Sequence, residues 1–291
     1  MTNSSFRCGF VAIVGRPNVG KSTLLNHLIG QKISITSKKA QTTRQTIRGI
    51  HTDSNAQLIF IDTPGYQTHY QDVKNRKLNE NALSALRSAD LVVWVVEAKH
   101  FDMRDEKILR HLPAHTLLVI NKADLFIDQE EAFNFLQQIK GQRSLIDAIT
   151  VSAKYSQQLD LLIEKIKPRL PLGPPLYPDE ALTDRSSRFL VAEILREKVF
   201  RYLGEELPYL VEIEINSFKA LPTLTQIDAT LWITKETHKG IIIGKNGEKL
   251  KKISSKARLD MEKLLETKVY LSTWVKVKKH PKVTDLKFLE E

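Results

Sequence analysis

The sequence predicts an α/β protein in two parts, a first domain on a mostly parallel sheet and a smaller α+β domain after it. Three observations carry that reading. Short β-rich runs alternate with helical patterns up to residue 170. A proline-rich stretch then interrupts the chain at residues 170–180. Beyond it the order becomes helix, two strands, helix and strand. At 291 residues the chain can bury two cores of ordinary size.

The strands of the first part are expected at residues 10–14, 58–61, 91–96, 116–120 and 148–151. Their apolar runs are short and nearly continuous, as strands covered on both faces require. Helical patterns lie between them; in residues 156–167, Leu159, Leu162, Ile163 and Ile166 share one face. In such sheets ligands gather at the carboxyl ends of the strands. The stretch "LPLGPPLYPDE" has four prolines and a glycine, continues neither a helix nor a central strand, and reads as a linker. The expected division is therefore residues 1–170, a linker at 171–184, and residues 185–291. In the last part, residues 187–203 align Val191, Leu195, Val199 and Tyr202 on a helical face, and residues 210–216 and 226–234 read as strands. The helix at 248–266 turns Leu250, Ile253, Ala257, Met261 and Leu264 inward, and "KVYLSTWVKVK" places Val269, Leu271, Thr273, Val275 and Val277 on one side of a strand. Trp274 on that strand is expected in the core, with stacking on a base as the alternative.

Composition narrows the class. A net charge of +10 and a pI near 9.5 call for an anionic partner, either nucleic acid or a membrane surface. Cys8 is the single cysteine, which rules out an internal disulfide, favours a reducing compartment and reads as a small buried hydrophobe. No apolar run approaches the roughly 18 residues of a spanning helix, and no leader pattern opens the chain, so a soluble cytoplasmic protein is expected. His69, His100, His111, His115 and His238 lack metal-ligand spacing and read as surface or turn residues.

The chemistry begins at "GRPNVGKS", residues 15–22, which fits G-x-x-x-x-G-K-[ST] between a buried strand and a helical run. Glycine lets backbone N–H groups wrap a phosphate chain, lysine reaches its outer phosphates, and a hydroxyl ligates Mg²⁺. Gly20, Lys21 and Ser22 supply these in turn. "NKAD", residues 121–124, follows the strand at 116–120 and offers Asp124 as a buried carboxylate for the two donors on the guanine edge. "DTPG", residues 62–65, ends another strand with Asp62 for Mg²⁺ and the Gly65 N–H for the γ-phosphate. "QTTR", residues 41–44, supplies a threonine for the metal, Thr43 in preference to Thr42. In "VSAK", the Ser152 hydroxyl and Ala153 N–H are placed to support the base.

These elements in this order resemble the translation-factor class of small GTPases, which implies a P-loop GTPase fold binding GTP or GDP with Mg²⁺. The resemblance implies nucleotide contacts from Gly15, Asn18, Val19, Gly20, Lys21, Ser22, Thr23, Asp62, Asn121, Lys122, Asp124, Ser152 and Ala153. It also implies Ser22, Thr43 and Asp62 at the metal, and Lys21, Thr43 and Gly65 in hydrolysis. Tyr66 stands where Ras-like enzymes carry a water-orienting glutamine. Slow turnover is therefore expected, with a K⁺ ion held through Asn18 as in related GTPases. In the second part, Gly244-Lys245-Asn246-Gly247 is a G-x-x-G loop, and residues 235–282 hold 14 Lys and Arg against 5 Asp and Glu. Loop, element order and basic excess resemble a bacterial, type II KH domain, which clamps unpaired nucleotides. That points to Gly244, Lys245, Asn246, Gly247, Lys249 and Lys252 as RNA contacts. A GTPase domain joined to a terminal KH domain is similar to the Era family of ribosome-assembly GTPases. Membership implies as partners the 3′ end of small-subunit ribosomal RNA and the maturing small subunit, with peripheral membrane contact also attributed to the family. Residues 31–45 and those after Gly65 would link nucleotide state to the RNA site. The rival readings are an RNA-binding protein without turnover and a GTPase acting mainly at the membrane surface or in cell-cycle signalling.

Overall fold

A computed structural model of the chain describes residues 5–36, 46–62, 86–140, 145–204 and 206–278. It divides into two compact units, Met1–Arg185 and Ser186–Glu291. Among the described residues no helix is long and apolar enough to cross a membrane.

The first unit runs β1 (Arg7–Val14), α1 (Lys21–Ile29), β2 (Ile47–Thr52), β3 (Ala56–Asp62), β4 (Leu91–Glu97), α2 (Met103–Leu109), β5 (Thr116–Asn121), α3 (Gln129–Lys140), β6 (Asp147–Thr150) and α4 (Leu159–Ile166). The sheet order is β2-β3-β1-β4-β5-β6, and β2 alone among these strands is antiparallel to its neighbour. Burial explains the apolar runs: every residue of β3 and β5 is buried, and Val92, Trp94 and Val96 of β4 join Leu118 and Ile120 of β5 in one core. The sequence reading did not include β2. It is an edge strand carrying Arg48 and His51, so it lacks the continuous apolar run of its neighbours.

The stretch read as a linker is laid along this unit. Cys8 N donates to Pro171 O at 3.1 Å and Gly173 N to Phe6 O at 3.1 Å. The Gln57 carboxamide then accepts from the N–H groups of Leu176 and Tyr177 and donates to the Tyr177 carbonyl. At the open edge of β2, Ile50 N donates to Leu182 O at 2.9 Å and the Thr183 hydroxyl to Arg48 O at 2.7 Å. Prolines fit there because a strap needs few N–H donors of its own.

The second unit runs α5 (Ser187–Tyr202), β7 (Glu212–Ala220), β8 (Leu224–Ile233), α6 (Glu236–Ile243), α7 (Glu248–Leu265) and β9 (Lys268–Val277). β7 and β8 pair antiparallel, while β8 and β9 pair parallel, so the chain must cross over between the last two, and α6 and α7 make that crossing. The helix α6 is an addition to the sequence reading; Gly240 and three isoleucines in its eight residues give it poor intrinsic helicity. Ile253, Ala257 and Met261 of α7 are fully buried with Ile227, Leu231 and Val275 of the sheet. Truncating one such large side chain to alanine costs about 2–5 kcal/mol.

Candidate nucleotide site and nucleic-acid groove

The phosphate loop owes its shape to two close approaches. β1 ends buried, and the chain turns at Gly15, where an added Cβ would lie 2.3 Å from the Val95 carbonyl oxygen of β4. At Gly20, with φ 102°, a Cβ would lie 2.2 Å from Asn121 Nδ2. Gly20 caps α1 without a side-chain hydrogen bond, and the start of such a helix is where an anion is favoured. Asn18 is exposed at φ 66° on the crest of the loop, Val19 is buried beneath it, and Thr23 is half-buried in the first turn of the helix.

Lys21 is buried, with Nζ donating to the carbonyl oxygens of Gly15 at 3.0 Å and Arg16 at 2.8 Å. Burial pushes its pKa down to about 8, against the opposing pull of the Asp62 carboxylate. The Ser22 hydroxyl donates to Asp62 Oδ2 at 2.9 Å, and the Ser34 hydroxyl donates to the same oxygen at 2.9 Å. Asp62 is fully buried at the carboxyl end of β3. A hydroxyl and a carboxylate joined beside a buried ammonium form an all-oxygen donor set that fits a hard cation such as Mg²⁺. Thr42, Thr43, Arg44, Gly65, Tyr66 and His69 lie outside the described residues.

Asn121 ends β5 and acts as a clamp. Its Nδ2 donates to the Val19 carbonyl at 2.8 Å and its Oδ1 accepts from Ala153 N at 3.0 Å, tying the phosphate loop to the turn after β6. Spacing alone marks Asn121 and Ala153 as base contacts and is silent on this brace. Lys122 adopts φ 62° and pairs its ammonium with Glu97 at 2.7 Å. Asp124, expected as a buried carboxylate, is exposed on the 3₁₀ turn Ala123–Leu125, which follows the carboxyl end of β5. The hydroxyl of buried Ser152 donates to Asp124 Oδ1 and fixes one carboxylate oxygen. Sequence reasoning also passed over Arg16 and Ser34, which meet Asp102, Asp105 and Asp62 only in the fold.

In the second unit, Gly244 (φ 74°), Asn246 (φ 52°) and Gly247 (φ 78°) put three residues of positive φ between α6 and α7. A Cβ on Gly244 would lie 2.8 Å from that of Lys249, which is half-buried behind it, while Lys245 and Asn246 face solvent. A groove of about 450 Å³ runs from Gly247 between α7 and β9, past Leu250, Lys251, Ser254, Arg258 and Tyr270. The hydroxyls of Ser254 and Thr273 meet at 2.7 Å in its wall. Lys252, expected at the RNA, does not line this groove; its ammonium sits 5.1 Å above the Tyr202 ring of α5. One residue is 100° of helical turn, so Lys251 faces the groove and Lys252 its flank. Trp274 is not core but 47% exposed, because the inward side of β9 is taken by Val269, Leu271, Thr273, Val275 and Val277.

Comparison with known proteins agrees with this two-part anatomy. A family model described as a 50S ribosome-binding GTPase matches residues 10–122, and a KH domain model matches residues 206–281. GTPase Era of Neisseria meningitidis serogroup A is 52% identical over 294 residues, covering 98% of this chain and 94% of that protein. GTPase Era of Chromobacterium violaceum is 50% identical over 293 residues, covering 100% and 99%. A crystal structure of Era in complex with MgGDPNP and nucleotides 1506–1542 of 16S ribosomal RNA aligns with a TM-score of 0.88 at 38% identity over 94% of each chain. A variant of Aquifex aeolicus Era bound to GDP and AlF4⁻ aligns with a TM-score of 0.87, also at 38% identity over 94% of each chain. The chain belongs to the Era family of GTPases.

Proposed function

We propose that the protein hydrolyses GTP and serves ribosome assembly, binding the 3′ region of small-subunit ribosomal RNA through its KH domain and coupling that contact to nucleotide state. The observation that carries the reading is the meeting, at the carboxyl ends of the strands, of a phosphate cradle with a carboxylate held outward. Lys21 and the Ser22–Asp62 pair form the first, and Asp124 on Ser152 forms the second. The proposed contacts to the nucleotide are those expected from the sequence, with Asn121 and Ala153 contributing through the shape of the pocket.

In phosphoryl transfer to water, catalysis is mostly positioning and charge neutralisation. Lys21 brings a buried positive charge to the β and γ phosphates, where low polarity strengthens it. Ser22, Asp62 and Thr43 would hold Mg²⁺, which when bound neutralises charge on the outer phosphates. The Gly65 N–H is assigned to the γ-phosphate. A phenol at Tyr66 cannot orient water as an amide does, so intrinsic turnover is slow. Asn18, exposed on the loop crest, is assigned to a K⁺ ion that makes up part of the deficit. Turnover should rise in potassium over sodium for the wild type and not for Asn18→Ala; equal rates for both proteins in both salts would refute that assignment.

RNA is assigned to the G-x-x-G loop and its groove, at Gly244, Lys245, Asn246, Gly247 and Lys249, with Lys251 and Arg258 added by their place in the wall. The membrane reading gains nothing from α7, because its apolar face is spent on the sheet. The deciding experiment crosslinks the GTP-bound protein to cellular RNA and sequences the fragments. Enrichment of the 3′ end of small-subunit ribosomal RNA is expected, and an even spread over unrelated RNA would defeat the proposal. Tighter RNA binding with a non-hydrolysable GTP analogue than with GDP, or the reverse, tests the coupling; equal affinities would remove it.

A further inference from the structure

Arg16 follows the first glycine of the phosphate loop, at a position where the motif accepts any residue, yet it is only 7% exposed. A guanidinium taken out of water needs its charge balanced and its N–H donors met. Nη1 donates to Asp102 Oδ2 at 3.1 Å and Nη2 to the His100 carbonyl oxygen at 2.9 Å, while Nε faces Asp105 Oδ2 at 2.8 Å as an ion pair without hydrogen-bond geometry. Both carboxylates belong to the start of α2. Asp102 is its N-cap and accepts from Arg104 N, while Asp105 reaches back to Asp102 N in a reciprocal capping box. Asp105 is fully buried and its pKa is raised by that burial, against the pull of Arg16. The main chain of the same arginine does separate work, since its carbonyl accepts from Lys21 Nζ at 2.8 Å. Side chain and backbone of one residue thus join a helix cap to the phosphate-binding lysine.

We propose that Arg16 is a positioning residue for nucleotide binding. Its ion pairs with Asp102 and Asp105 hold the backbone at Gly15 and Arg16 in the shape that receives phosphate. Affinity for GDP and GTP therefore depends on it, whereas the choice of base, set at Asp124, does not. The inference rests on the guanine-nucleotide reading of this site. Lysine is a partial substitute, because a point charge on a flexible stem cannot face two carboxylates and a carbonyl at once as a planar fork does.

The test is calorimetric titration of wild type, Arg16→Ala, Arg16→Lys and Asp105→Asn with GDP, with GTP in its non-hydrolysable form, and with inosine diphosphate, which lacks the 2-amino group that Asp124 reads. Circular dichroism confirms that each variant is folded at the temperature used. Arg16→Ala should weaken both guanine nucleotides alike, by about tenfold, or about 1.4 kcal/mol, with the ratio of GDP to inosine diphosphate affinity as in wild type. Arg16→Lys should fall between the two. A folded Arg16→Ala that binds GDP within about twofold of wild type would overturn the proposal. So would a loss of base preference in step with affinity, which marks a general loosening of the domain. If Arg16→Ala does not fold, Arg16→Lys and Asp105→Asn decide the matter: losses of about threefold each are expected, the scale of one hydrogen bond, and unchanged affinity in both overturns it. Failure of the wild type to bind GDP would refute the guanine-nucleotide reading instead.

Discussion

The two binding regions keep their charges in opposite ways. In and around the phosphate loop Arg16, Lys21, Asp62 and Asp105 are all buried and held in place by hydrogen bonds within the fold. Around the G-x-x-G groove Lys245, Lys251 and Lys256 stand in solvent. A site that must recognise one small ligand gains from groups already aimed and stripped of water, since little is left to order on binding. A site for a flexible polyanion gains from hydrated cations, because displaced counterions supply much of the affinity. Geometry governs the first and salt the second.

That contrast breaks most sharply at Lys21. Lys21→Ala should lower the rate of phosphate release from GTP by about 10³-fold or more, the scale of losing a preorganised charge at the transition state; a rate within tenfold of wild type would mean the cradle is not the reaction site. Next in size is Asp124→Ala, for which GDP affinity measured by calorimetry should fall about 10- to 100-fold as a charged hydrogen-bond acceptor is lost, with ATP binding no worse than before. In the groove the effects should be smaller and salt-dependent. Lys251→Ala should weaken RNA binding by about three- to tenfold and reduce the slope of log affinity against log salt by about one, while Lys252→Ala, whose ammonium lies over Tyr202, should do less. Equal losses for the two lysines would show that the wall of the groove is not what the RNA contacts.

The smallest expected effect concerns protons. Lys21 has a pKa of about 8 in the ligand-free fold against an ordinary value of 10.5. Between those values the unfolded chain holds more protons on this residue than the folded one, so its contribution to stability rises with pH through that window and is level above it. A bound phosphate favours the charged ammonium again. GDP binding at pH 8 should therefore take up a fraction of a proton, visible as a calorimetric heat that changes with the ionisation enthalpy of the buffer. A heat independent of buffer would contradict the depressed pKa.

Much of this anatomy was legible in the sequence because it depends on local rules. Continuous apolar runs mark β3, β4 and β5, and the spacing of Gly15, Gly20, Lys21 and Ser22 marks the loop between β1 and α1. What escaped depends on partners far along the chain. The roles of Arg16 and Asn121 come from residues 86 and 102 positions away, and nothing near either residue announces them. The facing of Lys252 follows from which side of α7 packs on α5, a matter of helix phase rather than of composition. Trp274 is a different kind of miss. The alternation of β9 puts even-numbered residues outside, so parity along the strand outweighs the general preference of tryptophan for burial. β2 and α6 were hidden by weak local preference that tertiary packing overrides.

The segment that follows the prolines near the end of the first unit does more than continue the chain. A sheet's outermost strand leaves a row of backbone donors and acceptors on which a second molecule can grow, and β2 is such a strand. Leu182 and Thr183 meet the middle of that row, at Ile50 N and Arg48 O, so the tether covers part of an edge that would otherwise template edge-to-edge pairing.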